Sequence, residues 1–257
     1  MAKSGGSRGA RGRPIRQGRP AVAKGSAKRP AKPAKPGSGG KPAKPAARTA
    51  AEVPASDTLL VVGPLALGVI PGATPGKWID AWQERMPGVE LSLRSISVAE
   101  QGAALRDGGL DAALVRLPID TDGLHVIPLY DERPVAVAAA DSHLMAADEL
   151  DLADLAGEII VVPRDDVLRL AVPGAIAPSF APPEDTEMAI ATVAAGIGAV
   201  IVPMSLARLH QRKDVDYRPL RDGPMSTVAL AWPADRTTPA VQAFVGIVRG
   251  RTPNSSR

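Results

Sequence analysis

The sequence predicts an α/β body with mixed, mostly parallel sheets behind a basic N-terminal segment, and three observations carry that expectation. Charge changes sign near Asp57: residues 1–57 hold 14 of the 31 Lys and Arg but only Glu52 and Asp57 as acids, net +12, whereas the other 200 residues carry net −8. Continuous apolar runs at Leu59–Ile70 and Leu110–Val115 suit strands buried on both faces. Two helix-period segments, each opened by a hydroxyl residue and closed at glycine, are interleaved with strands, the order of a parallel α/β opening.

Each element has a local reason. Gly63-Pro64 splits the first apolar run, so the first strand is expected at Ala66–Ile70. Thr74 can cap a helix with Pro75 at its first position, and Trp78, Ile79, Trp82 and Met86 form its apolar stripe before Pro87-Gly88 stops it. Val89–Ile96 alternates apolar and polar residues, as a half-covered strand does. Ser97-Val-Ala-Glu100 reads as a capping box for a second helix that ends at Gly108-Gly109. Leu124–Tyr130, Pro134–Ala140 and Ile159–Val162 read as strands, with a helical turn at Leu152–Leu155. Five prolines between Pro163 and Pro183 make that stretch a loop that can flank a cleft. Asp185 can cap a helix over Thr186–Ala195, closed by Gly196. A strand at Gly198–Pro203, a short helix at Ser205–His210 and strands at Val215–Leu220 and Val228–Trp232 follow. Pro239 opens a last helix with Val241, Phe244, Val245 and Val248 inward.

The N-terminal segment is Gly, Pro, Ala, Lys and Arg without an aromatic residue, so it cannot bury enough apolar area to offset the entropy of ordering. Prolines at 14, 20, 30, 33, 36, 42 and 45 also bar helix and ladder. We expect a disordered arm reaching on the order of 40 Å. Arg8, Arg11, Arg13, Arg16, Arg19, Lys24, Lys28, Arg29, Lys32, Lys35, Lys41 and Lys44 are its nucleic-acid-binding candidates, able to replace phosphate counterions without sequence preference. A merely solubilising extension is the competing reading, and base stacking is not expected without aromatic residues. The start shows no run of seven apolar residues and no 18-residue apolar span occurs, which points to a cytoplasmic protein, with nucleoid association open. No cysteine occurs, which removes disulfides, thiolate catalysis and thiolate metal sites.

Gly108-Gly-Leu-Asp-Ala-Ala-Leu-Val-Arg-Leu-Pro118, with Leu124–Val137 after it, resembles the effector-binding domain of LysR-type transcriptional regulators. Asp141-Ser-His-Leu-Met-Ala146 with Leu152–Leu155, Thr192–Pro203, and Val228–Trp232 leading to Pro239–Phe244 match in the same order, over about residues 65–249. The resemblance implies the two-lobed type 2 periplasmic-binding-protein fold with a small molecule held between lobes. By similarity, lobe I covers about 58–135 and 226–250, lobe II about 136–225, and 251–257 is a flexible end. It also implies a homodimer. Where the family carries a winged helix-turn-helix, the preceding residues here hold the basic segment, so sequence-specific DNA reading is not expected to carry over.

In such a fold helix N-termini converge on the cleft, where backbone donors and the positive dipole end favour an anion. Thr74 and Ser97, at the first two helix starts, are the leading ligand-binding candidates and match positions where the family donates a hydroxyl to its effector. Each is equally read as an N-cap. Arg116, ending the third strand, can clamp a carboxylate or form an ion pair with Asp111 or Asp120. Arg164, beside Asp165 and Asp166, and Thr186 complete the set. His125, His143 and His210 are far apart in sequence and no nucleophile elbow occurs, so no catalytic residue, metal or cofactor is expected. The reading is a non-enzymatic sensor of a small, anionic metabolite, contacting nucleic acid through its tail. A solute-binding protein, an enzyme on the same scaffold, and a nucleoid accessory protein with an unused cleft are the alternatives.

Overall fold

The structure, a computed structural model, describes residues 62–250; the basic segment expected to be a disordered arm lies outside the described residues, as does 251–257. Strands β1 (Leu65–Val69), β2 (Leu91–Ser95) and β3 (Ala112–Arg116) alternate with α1 (Gly76–Arg85) and α2 (Gln101–Arg106). β1 pairs in parallel with both β2 and β3, and parallel neighbours need crossover connections, here the helices α1 and α2. β8 (Ser226–Pro233) then joins β3 antiparallel, and β4 (Leu124–Glu132) closes the sheet, giving the order β2-β1-β3-β8-β4. The second sheet has β5 (Pro134–Ala139) between β6 (Ala199–Pro203) and β7 (Val215–Pro219), both antiparallel to it. Among the named strands, parallel pairing is thus confined to the two partners of β1, and three isolated bridges in the second lobe are also parallel. Helices α3 (Thr186–Ala194) and α4 (Met204–Leu209) belong to the second lobe, and α5 (Pro239–Val248) returns to the first.

The aliphatic composition shows in how each lobe is filled. In the first lobe Trp82 and Phe244, from α1 and α5, meet at 6.0 Å between ring centroids over Leu67, Leu114 and Leu230. The Trp82 indole N–H donates to the Val89 carbonyl at 3.0 Å, which lets a large polar-edged ring stay buried. Leu105 of α2 covers the opposite face, over Ala113, Val115 and Ala229. In the second lobe β5 alternates: Val135 and Val137 point toward α3 and α4, while Ala136 and Ala138 point toward the wrapping segments carrying Leu144, Leu155 and Ile160. A strand with apolar residues on both faces has to be central, and β5 is.

Several local expectations are corrected. Thr74 does not cap α1; the Pro75 carbonyl accepts the Trp78 and Ile79 N–H groups instead, and Gly76 opens the helix. Ser97 accepts the Glu100 N–H at 3.2 Å, but its hydroxyl donates to the Glu100 carboxylate at 2.8 Å rather than that carboxylate reaching back to the backbone, and α2 begins only at Gln101. Ile159–Val162 is not a strand: Ile159 bridges Ile176 and Ile160 bridges Ala199, one residue each, before Pro163 removes the next donor. Leu93 is half exposed because β2 is an edge strand left uncovered at that position. Asp185 does cap α3, accepting the Met188 N–H at 2.8 Å, and Thr238 caps α5.

The chain crosses between lobes twice, at Arg133 after β4 and at residues 220–225 before β8. One polar cluster sits at both crossings. Arg116, 1 % exposed, donates from one guanidinium nitrogen to Glu132 at 2.9 Å and to Ser226 at 2.7 Å. Glu132 ends β4 and Ser226 begins β8, opposite each other in register. From the second lobe, Ser205 of α4 donates to the same Glu132 oxygen at 2.8 Å. Close beside it, Gly72 in the β1–α1 turn has φ +82°, and a Cβ there would lie 2.5 Å from the Ser205 hydroxyl oxygen, so the turn can lie on α4 only as glycine.

Two outcomes follow from these contacts. Arg116→Met leaves Glu132 without its cation, and urea denaturation of the full chain is expected to show a loss of about 3 kcal/mol, with Arg116→Met/Glu132→Leu recovering part of it; an unchanged midpoint for the single variant contradicts a structural role for the cluster. Gly198, at φ +60° with the Ile159 carbonyl oxygen 2.0 Å from any added Cβ, tolerates no side chain. Gly198→Ala is expected to cost at least ~2 kcal/mol by the same measurement, and a neutral result contradicts the close approach of β6 to Ile159.

Candidate functional site

Between the lobes lies a cleft of about 770 Å³, a size suited to a small organic ligand. Its first-lobe wall is the β1–α1 turn at Pro71-Gly72, the end of β2 at Ser95, and Ser97 with the start of α2. Its second-lobe wall is Arg164–Val167 with Arg169, the start of α3 at Thr186, and the end of α4. The carboxyl end of β2 and the starts of α2 and α3 face this common gap, together with the end of α4.

Thr186 is 2 % exposed and donates its hydroxyl to Asp165 at 2.9 Å, which ties the loop to α3. Gln101, also buried, makes a reciprocal pair with the Arg116 backbone, donating to its carbonyl and accepting its N–H at 2.8 Å each, and so fixes α2 against β3. Arg106 pairs with Asp120 at 2.8 Å, and Arg164 with Glu184 at 3.2 Å, not with the neighbouring Asp165 or Asp166. Asp166 accepts the backbone N–H groups of Leu168 and Arg169 at 2.9 Å each. Held this way, Arg169 has φ 48°, the one non-glycine residue with positive φ among the described residues. That conformation costs on the order of 1–3 kcal/mol and is kept where surrounding structure imposes it. Its guanidinium has no hydrogen bond or ion pair among the described residues. Around the gap three arginines stand against five carboxylates, those of Asp120, Asp165, Asp166, Asp185 and Glu187.

Five residues were expected to meet a ligand, and the structure divides them. Ser97, Arg164 and Thr186 line this cleft. Thr74 does not; it lines an adjoining cavity of about 550 Å³, with Tyr130, Glu132 and Ser205, that shares Gly72 and Leu209 with the cleft. In that cavity burial first, and the Glu132 carboxylate second, hold the Tyr130 phenol above its ordinary pKa, with Arg116 opposing. Arg116 lines neither; its guanidinium faces inward to Glu132 and Ser226, and neither expected ion-pair partner meets it, since Asp111 accepts the Ala66 N–H and Asp120 holds Arg106. Trp82 is core, with Trp78 half-buried beside it. Among the described residues no group of His and carboxylates could hold a metal ion, and no helix is long and apolar enough to cross a membrane. Gln101 and Arg169 were missed: a glutamine in a helix and an arginine in a proline-rich loop carry no periodic signal.

Comparison with known proteins agrees with this architecture. A family profile described as "LysR substrate binding domain" matches residues 60–253. The HTH-type transcriptional regulator CatR of Pseudomonas putida is 32 % identical over 170 residues, 62 % of this chain and 58 % of that protein. A probable hydrogen peroxide-inducible genes activator of Mycobacterium xenopi is 43 % identical over 89 residues, 34 % of this chain and 46 % of that protein. The chain thus spans about half the length of these curated relatives. The oxidized form of OxyR superimposes with a TM-score of 0.61 at 25 % identity, covering 73 % of this chain and 93 % of that one. The BenM effector binding domain with its effector benzoate shares the fold, at a TM-score of 0.62 and 20 % identity, covering 73 % and 91 %. Its relatives are transcriptional regulators rather than enzymes, and with the two lobes and the cleft between them this chain belongs to the LysR substrate-binding-domain family.

Proposed function

We propose that this chain is a cytoplasmic sensor in transcription control that closes on a small organic molecule bearing an anionic group, and that it contacts nucleic acid through its basic N-terminal segment. The observation that carries the reading is the interlobe cleft, walled by Ser97 from one lobe and by Arg164 and Thr186 from the other. A ligand touching both walls stabilises the closed arrangement of the lobes, and differential affinity for open and closed states is what a sensor needs. Thr74 contributes from the adjoining cavity, and Arg116 acts at the junction without touching ligand. The lobe limits, about 58–135 with 226–250 and 136–225, belong to the same proposal.

Some of the matched relatives are named for hydrogen peroxide. This chain has no cysteine, so a thiol cannot be its sensing group, and reversible binding in the cleft is the reading that the residues support. The segment's cations, from Arg8 to Lys44, supply counterion-releasing contacts to polyphosphate without sequence preference. A homodimer, as the family resemblance implies, gives lobe closure a second subunit to act on.

Two measurements test this. In a thermal-shift screen of organic acids and neutral metabolites on the full chain, a compound at 100 times its dissociation constant adds about 2.7 kcal/mol of stability. Thr186→Val should then weaken binding of that compound roughly tenfold, and retention of full affinity in Thr186→Val and Ser97→Ala removes the cleft as the site. For the segment, retention on nonspecific duplex DNA is expected to fall steeply with salt and to vanish in a variant beginning at Asp57; equal retention of the two proteins excludes the tether.

A further inference from the structure

Arg169 is the cleft-lining arginine that the fold leaves uncommitted. Arg106 and Arg164 each hold a carboxylate, at 2.8 and 3.2 Å, whereas the Arg169 guanidinium is without a partner among the described residues. Its backbone is locked at φ 48° by the two oxygens of Asp166, which take the N–H groups of Leu168 and Arg169. Arg169 is exposed at the cleft, and glycine or asparagine would occupy its conformation with less strain, so the backbone by itself gives no reason for an arginine there.

The surrounding charge narrows what it can hold. Five carboxylates line the same gap, and four of them are engaged: Asp120 by Arg106, Asp165 by Thr186, and Asp166 and Asp185 by backbone N–H groups. Glu187 stands 3.9 Å from His210. Their field repels a ligand with several negative charges, while one free guanidinium offers two parallel N–H donors to one planar acid group. We infer that Arg169 is the ligand's anion anchor and that the ligand is a monocarboxylate, its apolar remainder lying against Val98, Ile119 and Leu206. This rests on the cleft reading above and adds the anchoring residue and the ligand's chemical class.

The test is isothermal titration of the full chain with three monocarboxylates, hexanoate, benzoate and phenylacetate, and with citrate, inorganic phosphate and a panel of neutral amides and sugars. At least one monocarboxylate is expected to bind, with a loss of tenfold or more in Arg169→Gln. Citrate and phosphate, drawn to the basic segment, should bind equally to both proteins. Arg249→Gln, which removes the same charge outside the cleft, should leave monocarboxylate binding unchanged. Arg169→Gly separates anchoring from architecture: it should keep or raise the ligand-free melting temperature while losing monocarboxylate binding, whereas a structural residue would melt earlier. Monocarboxylate binding that survives Arg169→Gln overturns the anchor and leaves the cleft reading standing. Binding confined to neutral compounds, and sensitive to Thr186→Val, does the same. Binding of none of these compounds overturns both.

Discussion

A buried guanidinium at the junction of two lobes is the constraint on which the rest of the structure depends. Arg116 is almost fully enclosed, and an enclosed charge persists only when its partners are fixed. Those partners are Glu132 and Ser226, which stand at the two points where the chain passes from one sheet to the other, and Ser205, through Glu132, brings in the second lobe. The crossings therefore cannot drift apart without exposing or orphaning a charge. Arg116 also reaches the Ser205 hydroxyl directly, from its second terminal nitrogen at 3.5 Å.

Around that junction the two lobes are built on different principles. The first has an aromatic pair, Trp82 against Phe244, between α1 and α5, and gains rigidity from a ring edge satisfied by the Val89 carbonyl. The second, among the described residues, has no such pair and is filled by aliphatic side chains around β5, with its outer face covered by two short 3-10 turns and irregular chain in place of an α-helix. That irregular chain is what brings Arg164, Asp165 and Arg169 to the cleft. Loop placement on a rigid sheet is the usual way for a fold to present variable chemistry, and within this loop the Asp166 carboxylate, through the Leu168 and Arg169 N–H groups, holds Arg169 at its positive φ.

Much of the architecture was legible in the sequence. The apolar runs ending at Ile70 and Val115, with helix-period segments between, give the parallel opening, and Asp185 before Thr186–Ala194 gives α3 with its cap. These were legible because hydrophobic period and capping chemistry act within a few residues. The errors came where a local rule was overridden. Thr74 had a cap's position but lost that role to the Pro75 carbonyl, and Ile159–Val162 had a strand's composition but found only single-residue bridges.

By itself, the sequence determined the split between a cationic leading segment and an acidic body, the order of strands and helices apart from Ile159–Val162, and the absence of thiol chemistry, since each depends on composition or on neighbours along the chain. Tertiary structure alone decided that Arg116 faces inward to Glu132, that Thr74 opens onto a different hollow from Ser97, and that Arg169 is the cleft arginine without a partner among the described residues. The physical reason is distance along the chain. Arg116 meets Ser226 across 110 residues, and which charges find each other over such separations is set by how sheets stack and loops fold back, not by any period in the sequence.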